Sequence, residues 1–161
     1  MNLIPVHTET IVSVLSKKEV LGHLMRVTSE VNYLDQRSRG NKDVKFNGMV
    51  GQNGFRVSKV VDKGDTFLPL IIGEVEATPR GSIIFLKFKL FPGATFFLIF
   101  WSIVLVAFAS FFFFMIYNFN YGVICASLAV ANYALAIYFF NRQVKSSRKI
   151  FHQLINFQLK D

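Results

Sequence analysis

The feature that most constrains this chain is a long uncharged stretch. From Phe91 to Asn141 there is no Lys, Arg, Asp or Glu. Two runs inside it, residues 93–117 and 121–141, are each long enough to cross a bilayer, because about 20 helical residues span the hydrocarbon core. Residues 118–120 leave room only for a tight turn between the two runs. Since backbone polar groups in lipid need internal partners, we expect residues 91–141 to form a transmembrane hairpin of two antiparallel helices.

Basic residues flank the predicted hairpin, whereas its turn carries no charge. Lys87 and Lys89 precede the first span, and four basic residues follow the second: Arg142, Lys145, Arg148 and Lys149. Because Lys and Arg favour the cytoplasmic side, we expect a multi-pass membrane protein with both termini in the cytoplasm. The formal net charge of +8 likewise favours contact with an anionic surface. We expect the four residues after the second span to contact anionic lipid head groups of the bilayer, and we do not expect nucleic acid as a partner.

The second predicted span is rich in small side chains. Gly122, Ala126 and Ala131 allow close approach of a second helix, and Asn132 places an amide near the middle of the span. These residues are candidate helix-packing or oligomer contacts. They serve either the packing of the two spans in one chain or contact between chains. The Asn132 amide requires a partner, which is the first span, a second subunit of a homo-oligomer or water.

Residues 1–90 predict a small cytoplasmic β-rich domain. Residues 8–15 favour a strand, because they are rich in β-branched side chains. Ser16 and Glu19 have the spacing of a capping box, which predicts a helix from there to about Val31. Two hairpins then follow, so the fold class is α+β: a small antiparallel sheet with one packed helix, ahead of the membrane hairpin.

Turn residues predict the pairing in both hairpins. A turn at residues 51–54 pairs Val50 with Phe55, and a turn at residues 78–81 pairs Ala77 with Ser82. Since side chains alternate across a strand, one face of the second hairpin should be buried. That face holds Pro69, Ile71, Gly73, Val75, Ile84, Leu86, Phe88 and Leu90. Gly48 and Gly73 fall on apolar faces, where either the helix packs over them or a small ligand cavity opens.

The final segment, residues 142–161, predicts a basic amphipathic cytoplasmic tail. Ile150, Leu154 and Phe157 share one helical face, while the basic residues cluster near the membrane. Such a helix has three possible positions: on the inner leaflet, against the amino-terminal sheet, or at a contact between subunits.

Three short motifs ahead of the two spans carry a resemblance. They are Phe46-x-Gly48-x-Val50, Asn53-Gly54-Phe55-Arg56-Val57 and Pro69-x-Ile71-x-Gly73-x-Val75. With the spans, they resemble a group of small bacterial inner-membrane proteins of unknown function, over residues 8 to about 117. The resemblance implies a bacterial inner membrane and brings no catalytic residues.

The sequence predicts no enzyme. We find no catalytic motif, no residues for a cofactor and no metal-ligand spacing among the three histidines and the single Cys125. We therefore expect a non-catalytic, membrane-anchored binding or regulatory module, acting alone, as a homo-oligomer or as a subunit of a larger membrane complex. The alternative is a membrane-disrupting or pore-forming effector that is triggered through its cytosolic β domain.

Overall fold

The computed structural model describes residues 4–29, 44–61 and 67–156. They form an α+β fold, in which a six-stranded sheet and a short helix precede two long helices. The strands are β1 (Val6–Ser13), β2 (Thr28–Ser29), β3 (Phe46–Val50), β4 (Gly54–Lys59), β5 (Pro69–Thr78) and β6 (Gly81–Leu90). The helices are α1 (Lys17–Val27), α2 (Pro92–Phe114) and α3 (Phe119–Asn156).

The predicted capping box begins α1. The backbone N–H of Glu19 donates to Ser16 Oγ at 3.4 Å, and the backbone N–H of Ser16 donates to Glu19 Oε2 at 2.7 Å. The helix ends at Val27, short of the predicted end at Val31, which lies outside the described residues. It ends there because Thr28 is extended and begins β2, which pairs in parallel with β3. β-branched residues favour this extended state over another helical turn.

The strands have the order β1-β6-β5-β4-β3-β2, and every pairing except β2–β3 is antiparallel. Both predicted registers are confirmed, since Val50 pairs with Phe55 and Ala77 pairs with Ser82. All eight residues of the predicted core face on β5 and β6 are buried. Alternation along the strands therefore separates a covered face of the sheet from an open face.

The two long helices are joined by a turn that starts three residues and ends two residues earlier than the sequence predicts. α2 ends at Phe114, and Tyr117 adopts a left-handed backbone with φ of 55°. Asn118 then caps α3, because its Oδ1 accepts from the backbone N–H of Tyr121 at 3.3 Å. The helices pack against each other, and each contains a segment long and apolar enough to cross a membrane.

α3 is continuous through the predicted boundary between span and tail at residue 142. Its 38 residues correspond to about 57 Å of helix. The part beyond Phe140 packs on the covered face of the sheet, together with α1, so a second helix packs on the sheet where one was predicted. One hydrophobic core therefore runs from Leu24 of α1 through the sheet to Phe151, and on to Phe140 and Leu98 at the near end of the hairpin.

Candidate functional site where the sheet meets the long helices

A stack of aromatic rings holds α3 against the sheet. Phe151 is fully buried, lies parallel to the ring of Phe55 at 5.5 Å between centroids, and meets Phe46 edge-on at 6.4 Å. Phe55 in turn lies over Gly73 of the neighbouring strand, where a Cβ would collide with its ring. The space that a Cβ of Gly73 would take is thus filled by the Phe55 ring, with the α3 ring beside it. Gly48 has another reason for lacking a side chain, because its φ is +150° and its backbone closely approaches Arg56.

An ion pair joins the same helix to the edge strand β1. Arg148 donates to Glu9 through Nε at 2.6 Å and through Nη2 at 2.7 Å, and His152 Nε2 lies 2.9 Å from Glu9 Oε1. The Glu9 side chain is only 14% exposed. The hydrogen bonds from Arg148 hold the pKa of the Glu9 carboxyl below its ordinary value, against the opposing effect of burial. A bidentate pair of this kind fixes the orientation of α3 as well as its position.

The four predicted lipid head-group residues do not share one environment. Arg142, Lys145 and Lys149 are exposed on α3, whereas Arg148 is held by Glu9. Two residues before Arg148, Ser146 Oγ of α3 accepts a hydrogen bond from Lys59 Nζ of β4 at 2.8 Å. The basic tail is therefore also the docking surface of α3 on the sheet. Of the three possible positions of the predicted tail, its described part, residues 142–156, packs against the sheet, and Phe157 lies outside the described residues.

The candidate helix-packing residues of the predicted second span lie in different environments. Gly122 is buried against Phe113 of α2, where a Cβ would come within 2.6 Å of the ring. Ala126 is half-buried, and Ala131 is exposed on the outer surface of the hairpin. The Nδ2 atom of Asn132 is buried and has no hydrogen-bond partner in the described part of the chain. Gly122 thus serves packing within the hairpin, whereas Ala131 is free to meet another chain.

The face of the sheet opposite α1 and α3 is open. Large apolar side chains stand on it, with Val12 78% exposed, Met49 69% and Phe85 41%. Register places Glu74 beside Phe85 and Glu76 in the row of Val12, at the end of the sheet away from the hairpin. We call this surface the open face. Val12 and Phe85 lie close together on the neighbouring strands β1 and β6, whereas Met49 lies three strands away. Contiguous exposed apolar groups rimmed by charges are typical of a surface that contacts another molecule.

Comparisons with known proteins give no relative. No family model, no curated protein and no solved structure matches the chain. Within residues 4–29, 44–61 and 67–156, no group of three or more His, Cys, Asp or Glu side chains is placed to hold a metal ion. The interpretation of the site therefore depends on its geometry alone.

Sequence reasoning missed Glu9 as an organising residue. The signal was present, because Glu9 falls in the same alternating set as His7, Ile11 and Ser13, whose partners on β6 are buried. A carboxylate on the covered face of an edge strand requires a cation. The sequence could not name that cation, since Arg148 lies 139 residues further along the chain.

Proposed function

We propose that this protein is a non-catalytic, membrane-anchored binding or regulatory module of the bacterial inner membrane. In this proposal, the α2–α3 hairpin crosses the bilayer, and the sheet domain lies in the cytoplasm at the membrane surface. The open face is the binding surface. Its occupant is a partner protein of the same membrane or a second copy of this chain.

The open face is the observation that carries the proposal. A six-stranded sheet with helices on one side only leaves Val12 and Phe85 facing outward. Antiparallel sheets commonly keep one solvated face, but such a face is normally polar. Exposed Val and Phe on that face are better explained by a partner that covers them.

The docking of α3 supports the anchoring part of the proposal. Residues 119–141 and the buried Phe151 belong to the same helix. The sheet domain and the end of α3 pack together, so they must lie on one side of any membrane that the hairpin crosses. The basic residues on both flanks favour the cytoplasmic side.

Site-directed crosslinking in native membranes tests the open face. Cys125 is the only cysteine, so Cys125→Ser provides a background into which Val12→Cys is introduced. A benzophenone maleimide coupled to the thiol at position 12 inserts on illumination into C–H bonds of whatever lies against it, so it should give one adduct of defined mass, and Phe85→Asp should abolish it. The matched control is Met25→Cys, which is 59% exposed on α1. No adduct at position 12, or an equal adduct at position 25, would contradict the binding surface.

Reporter fusions and a membrane-potential dye test the remaining parts. Alkaline phosphatase fused after residue 161 should be inactive, whereas the same enzyme inserted after Met115 should be active outside the cytoplasm. The reverse pattern would refute the topology. Expression should leave the membrane potential unchanged, and its collapse would instead establish the pore-forming effector.

A further inference from the structure

A groove lies where the sheet passes into the first span. It has a volume of about 640 Å³ and lies between the start of β1, the end of β6 and the first turns of α2. Its lining combines two lysines with apolar side chains: Lys87, Lys89, Val6, Leu90, Phe96 and Ile99. Among the described residues, none with an acidic side chain lines it. The groove is therefore cationic on the sheet side and apolar on the membrane side.

A second groove continues from the first along the hairpin. It has a volume of about 570 Å³ between α2 and α3, and it shares Ile4, Thr95 and Ile99 with the first groove. Its lining is almost wholly apolar. The hydroxyl group of Ser102 is already satisfied within α2, because it donates to the Leu98 carbonyl at 2.7 Å. Because they share these three lining residues, the two grooves adjoin, and we call the pair, from the lysines to the hairpin, the channel.

The length of the apolar part matches one leaflet of a bilayer. The lining residues on α2 extend from Thr95 to Val106, which is about 16 Å of helix. The hydrocarbon core of a bilayer is about 30 Å thick, so one leaflet supplies about 15 Å. An acyl chain entering at Thr95 would therefore remain in the apolar groove for the depth of its leaflet.

The charges at the mouth of the channel favour an anion. Lys87 and Lys89 point to the same face of β6, about 6.7 Å apart along the strand. Neither ammonium group has an ion-pair partner among the described residues. α2 begins directly after them, and its first turn contains no acidic residue, so the positive end of its dipole adds to the same field.

We propose that this channel is a binding site for an anionic phospholipid of the inner leaflet. Lys87 and Lys89 hold the phosphate head group, and an acyl chain lies between α2 and α3. A bound lipid of this kind would fix the position of β6 and the start of α2 relative to the membrane surface. The inference rests on the membrane anchoring proposed above, but not on the partner of the open face.

Lipid retention by the purified full chain tests the site. The protein is reconstituted in vesicles of phosphatidylcholine with phosphatidylglycerol, extracted in mild detergent and examined by native mass spectrometry. We expect the wild type to retain phosphatidylglycerol in preference to phosphatidylcholine. Lys87→Gln with Lys89→Gln should weaken this binding about 30-fold, or ~2 kcal/mol at ~1 kcal/mol for each lysine near the surface.

Two further variants separate the site from general effects. Lys18→Gln with Lys45→Gln removes the same charge from two exposed lysines outside the groove and should leave retention unchanged. Ala129→Phe fills the apolar groove without changing charge and should also reduce retention. Equal retention by wild type and the Lys87/Lys89 variant, or no preference for phosphatidylglycerol, would overturn the inference. A chain that leaves the membrane in alkaline carbonate would instead contradict the anchoring itself.

Discussion

Replacing Phe151 with Ala should release the end of α3 from the sheet. The Phe151 ring is fully buried between Phe55 and Phe46, and it is the largest fully buried side chain of α3 beyond Phe140. The ion pair of Arg148 and the hydrogen bond to Ser146 lie nearer the solvent-exposed edge of the contact between α3 and the sheet. The ring is therefore the contact whose loss should affect docking most.

The expected cost follows from the two ring contacts and the cavity. Truncation of a buried Phe to Ala typically costs ~3–5 kcal/mol. Two aromatic pairs at ~0.5–1.5 kcal/mol each account for about 1–3 kcal/mol of this. Phe151→Leu keeps most of the side-chain volume, so it should lose only the free energy of the two aromatic pairs. Since whole domains are stable by ~5–15 kcal/mol, the Ala variant should undock α3 locally before the sheet unfolds.

Hydrogen exchange on the full chain in nanodiscs measures this undocking. In Phe151→Ala, the backbone amides of residues 144–155 should exchange about 10²- to 10⁴-fold faster, while those of residues 119–140 stay protected. Gln153→Ala, at an exposed position two residues on, is the matched control and should change little. Equal exchange rates in the two variants would refute the view that the ring stack holds the helix.

The remaining predictions concern the ion pair, the sheet and the outer surface of the hairpin. Folding lowers the pKa of the Glu9 carboxyl, so the ionised Glu9 contributes its full stabilisation above the unfolded-state pKa and loses it as the pH falls through the folded-state pKa. Glu9→Gln should therefore remove this part of the loss of thermal stability in acid, measured by thermal melts at several pH values. Gly73→Ala should destabilise the domain by ~1–3 kcal/mol in denaturant titration, since the new methyl group overlaps the facing ring. Leu86→Ala should cost ~2–5 kcal/mol and Lys87→Ala ~0.5 kcal/mol or less, and equal costs would contradict the register. Ala131→Leu should weaken crosslinked dimers in native membranes if the outer surface of α3 joins two chains, and a strictly monomeric wild type would end that hypothesis.

Local patterns predicted the sheet well because its turns determine its pairing. Once residues 51–54 and 78–81 are assigned as turns, period-two alternation decides which side chains are buried, and the structure has those registers and that buried face. The capping box likewise fixed the start of α1. Its end was predicted too late, because the helical spacing of the apolar residues continued past Val27 while the pairing of β2 with β3 favoured an extended chain.

Long-range contacts could not be predicted in the same way. The apolar face of the tail fitted a membrane, a subunit contact or the sheet equally well, because periodicity shows that a face is buried but not what covers it. The choice depends on Glu9 and Phe55, which are far away in the sequence, and on the space that Gly73 leaves for the Phe55 ring. The groove at Lys87 and Lys89 was missed for the same reason, since its walls come from β1, β6 and α2 together.

In the proposed membrane orientation, the unbroken α3 would make the orientation of the sheet domain depend on the thickness of the bilayer. About 15 residues of this helix, from Arg142 to Asn156, extend past the predicted span and form an arm of about 22 Å. Transmembrane helices adjust their tilt when a bilayer becomes thinner or thicker, with typical tilts of ~20°. A tilt change of ~20° would swing the end of this arm by about 8 Å. With the ring stack and the ion pair intact, the domain has no hinge in α3 to absorb that swing, so its open face turns with the span.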